Sequence, residues 1–256
     1  MHESILAEQT HAFVRSQTWQ AAVLPFGATE PHNFHMPYGT DTLQVDALGR
    51  LACQRAWEGG ARVALLPTVP YGVNTNHLKI PGGLACSVTP TTLLHLLTDL
   101  VDSLERQGIR KLVLLNGHGG NELKPLTREL HHRTGVFLCV CDWFRMARDL
   151  YATLFDRPGE HADEVETSLG LAFFPELMHM ELAADGAVRP SRFDAVNKGW
   201  ITLTRPWHLA TPSTGVGDPS AGTAEKGRRL MDVLVERLAT FLMELAASPM
   251  DETFPF

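Results

Sequence analysis

The stretch Lys111-Leu-Val-Leu-Leu-Asn-Gly-His-Gly-Gly-Asn121 decides the fold. Lys111 to Leu115 is an apolar run of strand length that breaks into a glycine-rich turn. Glu122 to His132 then reads as a helix, and Val136 to Cys141 forms another short apolar run. A strand, a turn, a helix and a second strand in that order place the two strands parallel, because the crossover helix returns the chain to the same end of the sheet.

Outward from that unit the pattern repeats. Gln20 to Ala28 predicts a strand buried on both faces, and Leu43 to Trp57 a helix ended by Gly59-Gly60. Arg62 to Leu66 predicts a further strand. Thr89 caps and Pro90 opens a helix whose Leu93, Leu96, Leu97, Leu100 and Leu104 keep one face apolar as far as Gly108. Downstream, Asp163 to Phe173 predicts a helix and Phe193 to Pro219 a loop with a short hairpin. Thr223 to Ala247 predicts a long helix striped by Leu230, Leu234, Leu238, Leu242 and Leu245 and ended by Pro249. The expectation is one doubly wound α/β domain over residues 1–256, a mostly parallel sheet flanked by helices.

Composition narrows the function. Of 256 residues 44% are hydrophobic, enough for a substantial core, and the formal net charge of −7 argues against an electrostatic grip on nucleic acid or an anionic membrane. Small molecules are the expected partners. Residues 1–15 hold His, Glu, Gln and Thr where a signal peptide needs an apolar run, and no stretch approaches the roughly 18 apolar residues of a membrane span, so a cytoplasmic location is expected. Cys53, Cys86, Cys139 and Cys141 have no zinc-site or CxxC spacing and read as small core residues.

In open parallel sheets ligands bind outside the carboxyl ends of the strands. Glu30, His32, His35 and Asp41 follow the first strand there and His118 follows the third. Carboxylates and imidazoles meeting in one crevice repel each other and their protons unless divalent cations neutralise them, so a metal site is the natural reading. His35, His77, His95, His131, His132, His179 and His208 read instead as solvated or hydrogen-bonded loop histidines. Trp143, Phe144, Trp200 and Trp207 read first as core, with pocket lining as the alternative. The glycines at 117, 119 and 120 could cradle a phosphate, but they lack the G-x-G-x-x-G spacing and enclose a histidine. The favoured reading is that they let the backbone pass close to a metal and its substrate.

The run Leu24-Pro-Phe-Gly-Ala-Thr-Glu-Pro-His-Asn-Phe-His-Met-Pro-Tyr-Gly-Thr-Asp41 resembles the signature of the creatininase (creatinine amidohydrolase) family. Asn116-Gly-His-Gly-Gly-Asn121 and Glu160-His-Ala-Asp-Glu-Val-Glu-Thr-Ser168 resemble its second and third blocks, with weaker echoes at Tyr71 to His77, Ile80 to Gly83 and Gly217 to Ser220. The resemblance implies a binuclear centre. One ion takes Glu30, Asp41 and His118, the other takes His32, and Asp41 bridges the two. Zinc is the first expectation, with manganese or iron as alternatives.

Creatininases carry a ligand glutamate two positions after the histidine of the second block, where this chain has Gly120. Glu164 is the expected replacement, because one helical turn separates it from His161, and Glu166 is the second choice. His161 matches the family's proton-donating histidine, with Glu160 before it as in creatininases. The implied chemistry is hydrolysis of a C–N bond in a small cyclic amide or formamide by a metal-activated water, in a cytoplasmic homo-oligomer, a hexamer by family resemblance. Gly120 argues against creatinine itself. Two other functions remain in view: a nucleotide- or phosphate-binding module built on residues 116–121, and a family member with an incomplete, inactive metal site.

Overall fold

A computed structural model describes residues 2–256. Four strands form one parallel sheet: β1 (Ala21–Phe26), β2 (Val63–Leu65), β3 (Lys111–Asn116) and β4 (Phe137–Asp142), in the order β2-β1-β3-β4. The long helices are α1 (Thr40–Glu58), α2 (Pro90–Arg106), α3 (Leu123–Leu130), α4 (Glu164–Phe173) and α5 (Ala224–Ala247). The expected α/β architecture is present, and each expected strand lies within a residue or two of its place.

The side-chain alternation of the strands divides the core. Ala21, Val23, Val113 and Leu115 face α1, α4 and α5, whereas Ala22, Leu24, Phe26, Leu112 and Leu114 face α2 and α3. Burial on both faces is why these strands read as unbroken apolar runs. Caps mark the helix starts. Thr89 accepts from the Thr92 N–H with Pro90 in the first turn, and Thr223 accepts from the Lys226 N–H.

The order β2-β1-β3-β4 reverses direction between β1 and β3, and their carboxyl ends lie side by side, with Phe26 paired to Asn116. Such a switch point opens a crevice, because the loops leave the two strands toward opposite faces. The expected hairpin within 193–219 is absent among the described residues. Two four-residue helices, Asp194–Asn197 and Trp207–Ala210, stand there instead. Of the cysteines, Cys53 is buried, but Cys86 is exposed on its loop and Cys139 and Cys141 are only half-buried on β4, the edge of the sheet. Among the described residues no helix is long and apolar enough to cross a membrane.

Helix α5 packs closely on α4, and Gly227 makes the approach possible: a Cβ there would overlap the Ser168 carbonyl. Replacing Gly227 by alanine is therefore expected to lower stability by about 1–3 kcal/mol, the usual range for overpacking. Urea unfolding measures it, and an unchanged midpoint would show that the two helices separate freely.

Candidate metal centre

The loop after β1 carries Glu30 and His32 and feeds directly into α1, whose first turn holds Asp41. The turn after β3 carries His118. Two glycines let these segments meet: a side chain at Gly27 would strike the Thr42 backbone, and one at Gly117 would strike the Asp41 carbonyl. Glu30, His32, Asp41, His118 and His161 are all buried, and all but His32 line the floor of a cleft of about 1270 Å³.

Each carboxylate faces more than one imidazole. Asp41 Oδ1 lies 3.0 Å from His32 Nε2, and its Oδ2 lies 3.1 Å from His118 Nδ1. Glu30 Oε1 is 3.2 Å from the same His118 nitrogen and 3.7 Å from His161 Nδ1. Asp41 Oδ2 and Glu30 Oε2 are buried without an aligned hydrogen bond among the described residues.

The far side of three rings explains this. His32 Nδ1 is 3.0 Å from the Glu30 carbonyl, His118 Nε2 is 3.3 Å from the Val73 carbonyl, and His161 Nε2 is 3.0 Å from the Pro31 carbonyl. A carbonyl only accepts, so each of these nitrogens carries the proton, and in the neutral ring the other nitrogen turns a lone pair toward the carboxylates. Lone pairs facing carboxylates are repulsive unless a proton or a cation lies between them. Metal-binding histidines are held in this way, with the outer N–H on a carbonyl.

Without a cation, protons fill the gap. Burial disfavours the charged form of His32, yet the Asp41 carboxylate outweighs it and raises the imidazole to about 10. His118 is likewise raised well above the ordinary value, burial being overcome by Glu30 and Asp41. Burial would raise Glu30, but the His118 charge draws it down to about 2, and Asp41 is lowered by His32 and His118. His161 goes the other way, to about 4, through burial and the neighbouring His32 charge.

Glu164 does not reach this cluster. Its carboxylate is fully buried against Lys226 Nζ at 2.5 Å and the Arg157 N–H at 2.5 Å. The one-turn argument fails because His161 is not helical: Ala162 has φ 48° and α4 begins only after Asp163, whose Oδ1 caps the Val165 and Glu166 N–H groups. Residues two apart on a helix lie about 200° apart around its axis, so Glu164 faces α5 and Glu166 faces the cleft. Glu166 has its Oε2 4.0 Å from His161 Nδ1, and Glu166, His32 and His161 place one ligand atom each within 4.8 Å of one another. Burial raises the Glu166 carboxyl to about 8. Glu160, expected beside His161 in the chemistry, also lines the cleft, but its exposed carboxylate is paired with Arg205 Nη2 at 2.6 Å.

Gly120 also has a structural reason. A Cβ there would collide with His118 Nε2 and the Val73 carbonyl, so the glutamate that creatininases carry at this point does not fit beside His118 as it stands. The phosphate-cradle reading meets an obstacle in the same turn. The N–H groups of Gly117, His118 and Asn121 are already taken by Phe26 O, Asn116 Oδ1 and His118 O.

The structure departs from the sequence expectation at two residues. His77, expected as a solvated or hydrogen-bonded loop histidine, is buried with its Nδ1 3.2 Å from Glu30 Oε2. Trp207, taken as core, stacks on His77 at 4.6 Å and walls the cleft together with Trp143 and Phe144, while Trp200 is exposed. The Tyr71-to-His77 echo was the one available signal for His77. Nothing in the sequence around Trp207 separates a cleft wall from a core residue.

Residues 7–242 match the creatininase family, described as creatinine amidohydrolase. A 3-dehydro-scyllo-inosose hydrolase of Thermotoga maritima is 30% identical over 249 residues, 87% of this chain and 76% of that protein. The crystal structure of a Bacteroides fragilis protein named as a creatinine amidohydrolase superposes with a TM-score of 0.92 at 33% identity, over 98% of this chain and 100% of the other. A creatininase in a manganese form superposes at 0.74 with 26% identity, over 96% and 99% of the two chains.

Cation binding here must expel the protons held by His32, His118 and Glu166. Calorimetric titration with zinc at pH 7, in buffers of different ionisation enthalpy, is expected to report release of about two to three protons, with affinity falling as pH drops. Binding without proton release would contradict the protonation pattern described here.

Proposed function

Because the chain belongs to the creatininase family of amidohydrolases, we propose that it hydrolyses a C–N bond of a small cyclic amide or formamide, with two divalent cations held at the cleft floor. The observation that carries this reading is the set of three imidazoles, each tied by one N–H to a backbone carbonyl and turning its other nitrogen to buried carboxylates. Glu30, Asp41 and His118 would hold one cation. His32 and Glu166 would hold the other, with Asp41 shared, since its two oxygens face different histidines. The manganese-form creatininase supports cations in this fold, and a carboxylate–imidazole set accepts zinc, manganese or iron.

When bound, such cations polarise a carbonyl and make a nearby water acidic near neutral pH. This chain supplies the rest. His161, with Nε2–H committed to Pro31, has Nδ1 free to take a proton from the attacking water and return it to the departing nitrogen. Trp207, Trp143 and Phe144 wall the cleft against water, and the Glu160–Arg205 pair ties the segment carrying Trp207 to the His161 loop. The Thermotoga maritima relative, named for a substrate other than creatinine, agrees with Gly120 in directing the search toward other small substrates.

Elemental analysis of the dialysed protein tests the cage. The wild type is expected to carry two ions per chain, Glu166→Gln one, and Glu164→Gln two at reduced stability, because that substitution leaves Lys226 without its buried partner. A wild type free of metal and indifferent to chelator would end this reading. Across a panel of formamides, lactams and creatinine, His161→Asn is expected to lower kcat by about 10²–10⁴ with metal content unchanged. Full turnover in that variant would remove His161 from the proton path.

A further inference from the structure

His77 is not used by the two-cation arrangement, yet it is built into the same floor. Its side chain is 3% exposed, and neither ring nitrogen has a hydrogen-bond partner among the described residues. Its Nδ1 lies 3.2 Å from Glu30 Oε2, a buried carboxylate oxygen that also lacks an aligned hydrogen bond. The spacing repeats on the other side of the same carboxylate, where His118 Nδ1 is 3.2 Å from Oε1. Ligand atoms about 2.0–2.2 Å from a shared ion in tetrahedral geometry stand roughly 3.3–3.6 Å apart, so these separations are close to those around a cation.

His161 completes the group. One ligand atom each from Glu30, His77 and His161 falls within 4.8 Å of the others, and all three residues are buried. The Trp207 ring, stacked on His77 at an interplanar angle of 24°, covers one face of the imidazole and leaves its in-plane nitrogens as the groups that can bind.

We propose that Glu30, His77 and His161 form a third, weaker cation position that inhibits the enzyme when occupied. The inference rests on the two-cation reading, since Glu30 already serves one of those ions through Oε1. The inhibition follows from His161. A cation between Glu30 and His77 takes up the Nδ1 lone pair, and Nδ1 is the atom that must accept and return the proton in hydrolysis. Excess metal thus competes with proton transfer at one nitrogen, without displacing the two ions that activate the enzyme.

Zinc titration of the full chain, followed by calorimetry and by turnover of whichever panel amide it accepts, tests this. The wild type is expected to bind two equivalents tightly and a third at least about tenfold more weakly, with turnover falling as the third fills. In His77→Gln the two tight equivalents remain, which also reports an intact fold, while the third weakens by about 10–100-fold and inhibition moves to correspondingly higher zinc. A wild type with two tight ions and no third, or a variant that keeps both the third ion and the inhibition, overturns this proposal alone. Fewer than two tight ions in the wild type overturns it together with the reading beneath it.

Discussion

Two buried carboxylates, Glu30 and Asp41, stand among imidazoles whose outer N–H groups are already committed to backbone carbonyls. The inner nitrogens therefore face the carboxylates, and two of the oxygens there, Asp41 Oδ2 and Glu30 Oε2, lack an aligned hydrogen bond among the described residues. A buried arrangement of this kind costs several kcal/mol if nothing positive lies within it. Protons on His32 and His118 meet the demand in the bare protein, and cations would meet it better because one ion serves several ligands at once. The remaining architecture keeps this group of side chains together and dry.

The sheet does so through its switch point. Strands β1 and β3 are neighbours whose following segments diverge to opposite faces, and the space between those segments is the cleft. Glu30, His32 and Asp41 come from one side and His118 from the other, so the centre exists only when the pair is in register. The third side is α4 and its cap. Asp163 binds the first N–H groups of the helix, and Glu166 accepts the Ala162 N–H, so the turn that presents His161 and the helix that presents Glu166 are fixed as one piece. Behind them, Glu164 and Lys226 join α4 to α5 through a buried ion pair.

Division of labour between neighbouring carboxylates follows from helix geometry. Glu164 and Glu166 differ by two positions, which turns one toward a lysine behind the helix and the other toward histidines in front. A glutamate at Gly120 would collide with the His118 ring as it stands, so under the proposed two-cation arrangement the extra carboxylate would come from α4 rather than from the β3 turn. His77 and Trp207 stand against the same floor, His77 beside Glu30 and Trp207 stacked on its ring.

Much of this was legible in the residues themselves. Apolar runs of strand length, caps such as Thr89-Pro90 and the leucine stripe of α5 determine the α/β alternation, because period and capping are local properties. Glu30, His32, Asp41 and His118 were readable as one group because the strand ends of a parallel sheet share a rim. Local pattern could not decide the directions in which side chains point once the backbone turns. Ala162 at positive φ breaks the expected helical phase between His161 and Glu164, and only the folded chain shows that Glu166 faces the cleft while Glu164 turns to Lys226 and Glu160 is paired with Arg205. His77 and Trp207 were beyond reach for a related reason. They lie 130 positions apart, and their stack against Glu30 is a long-range contact that composition and spacing do not encode.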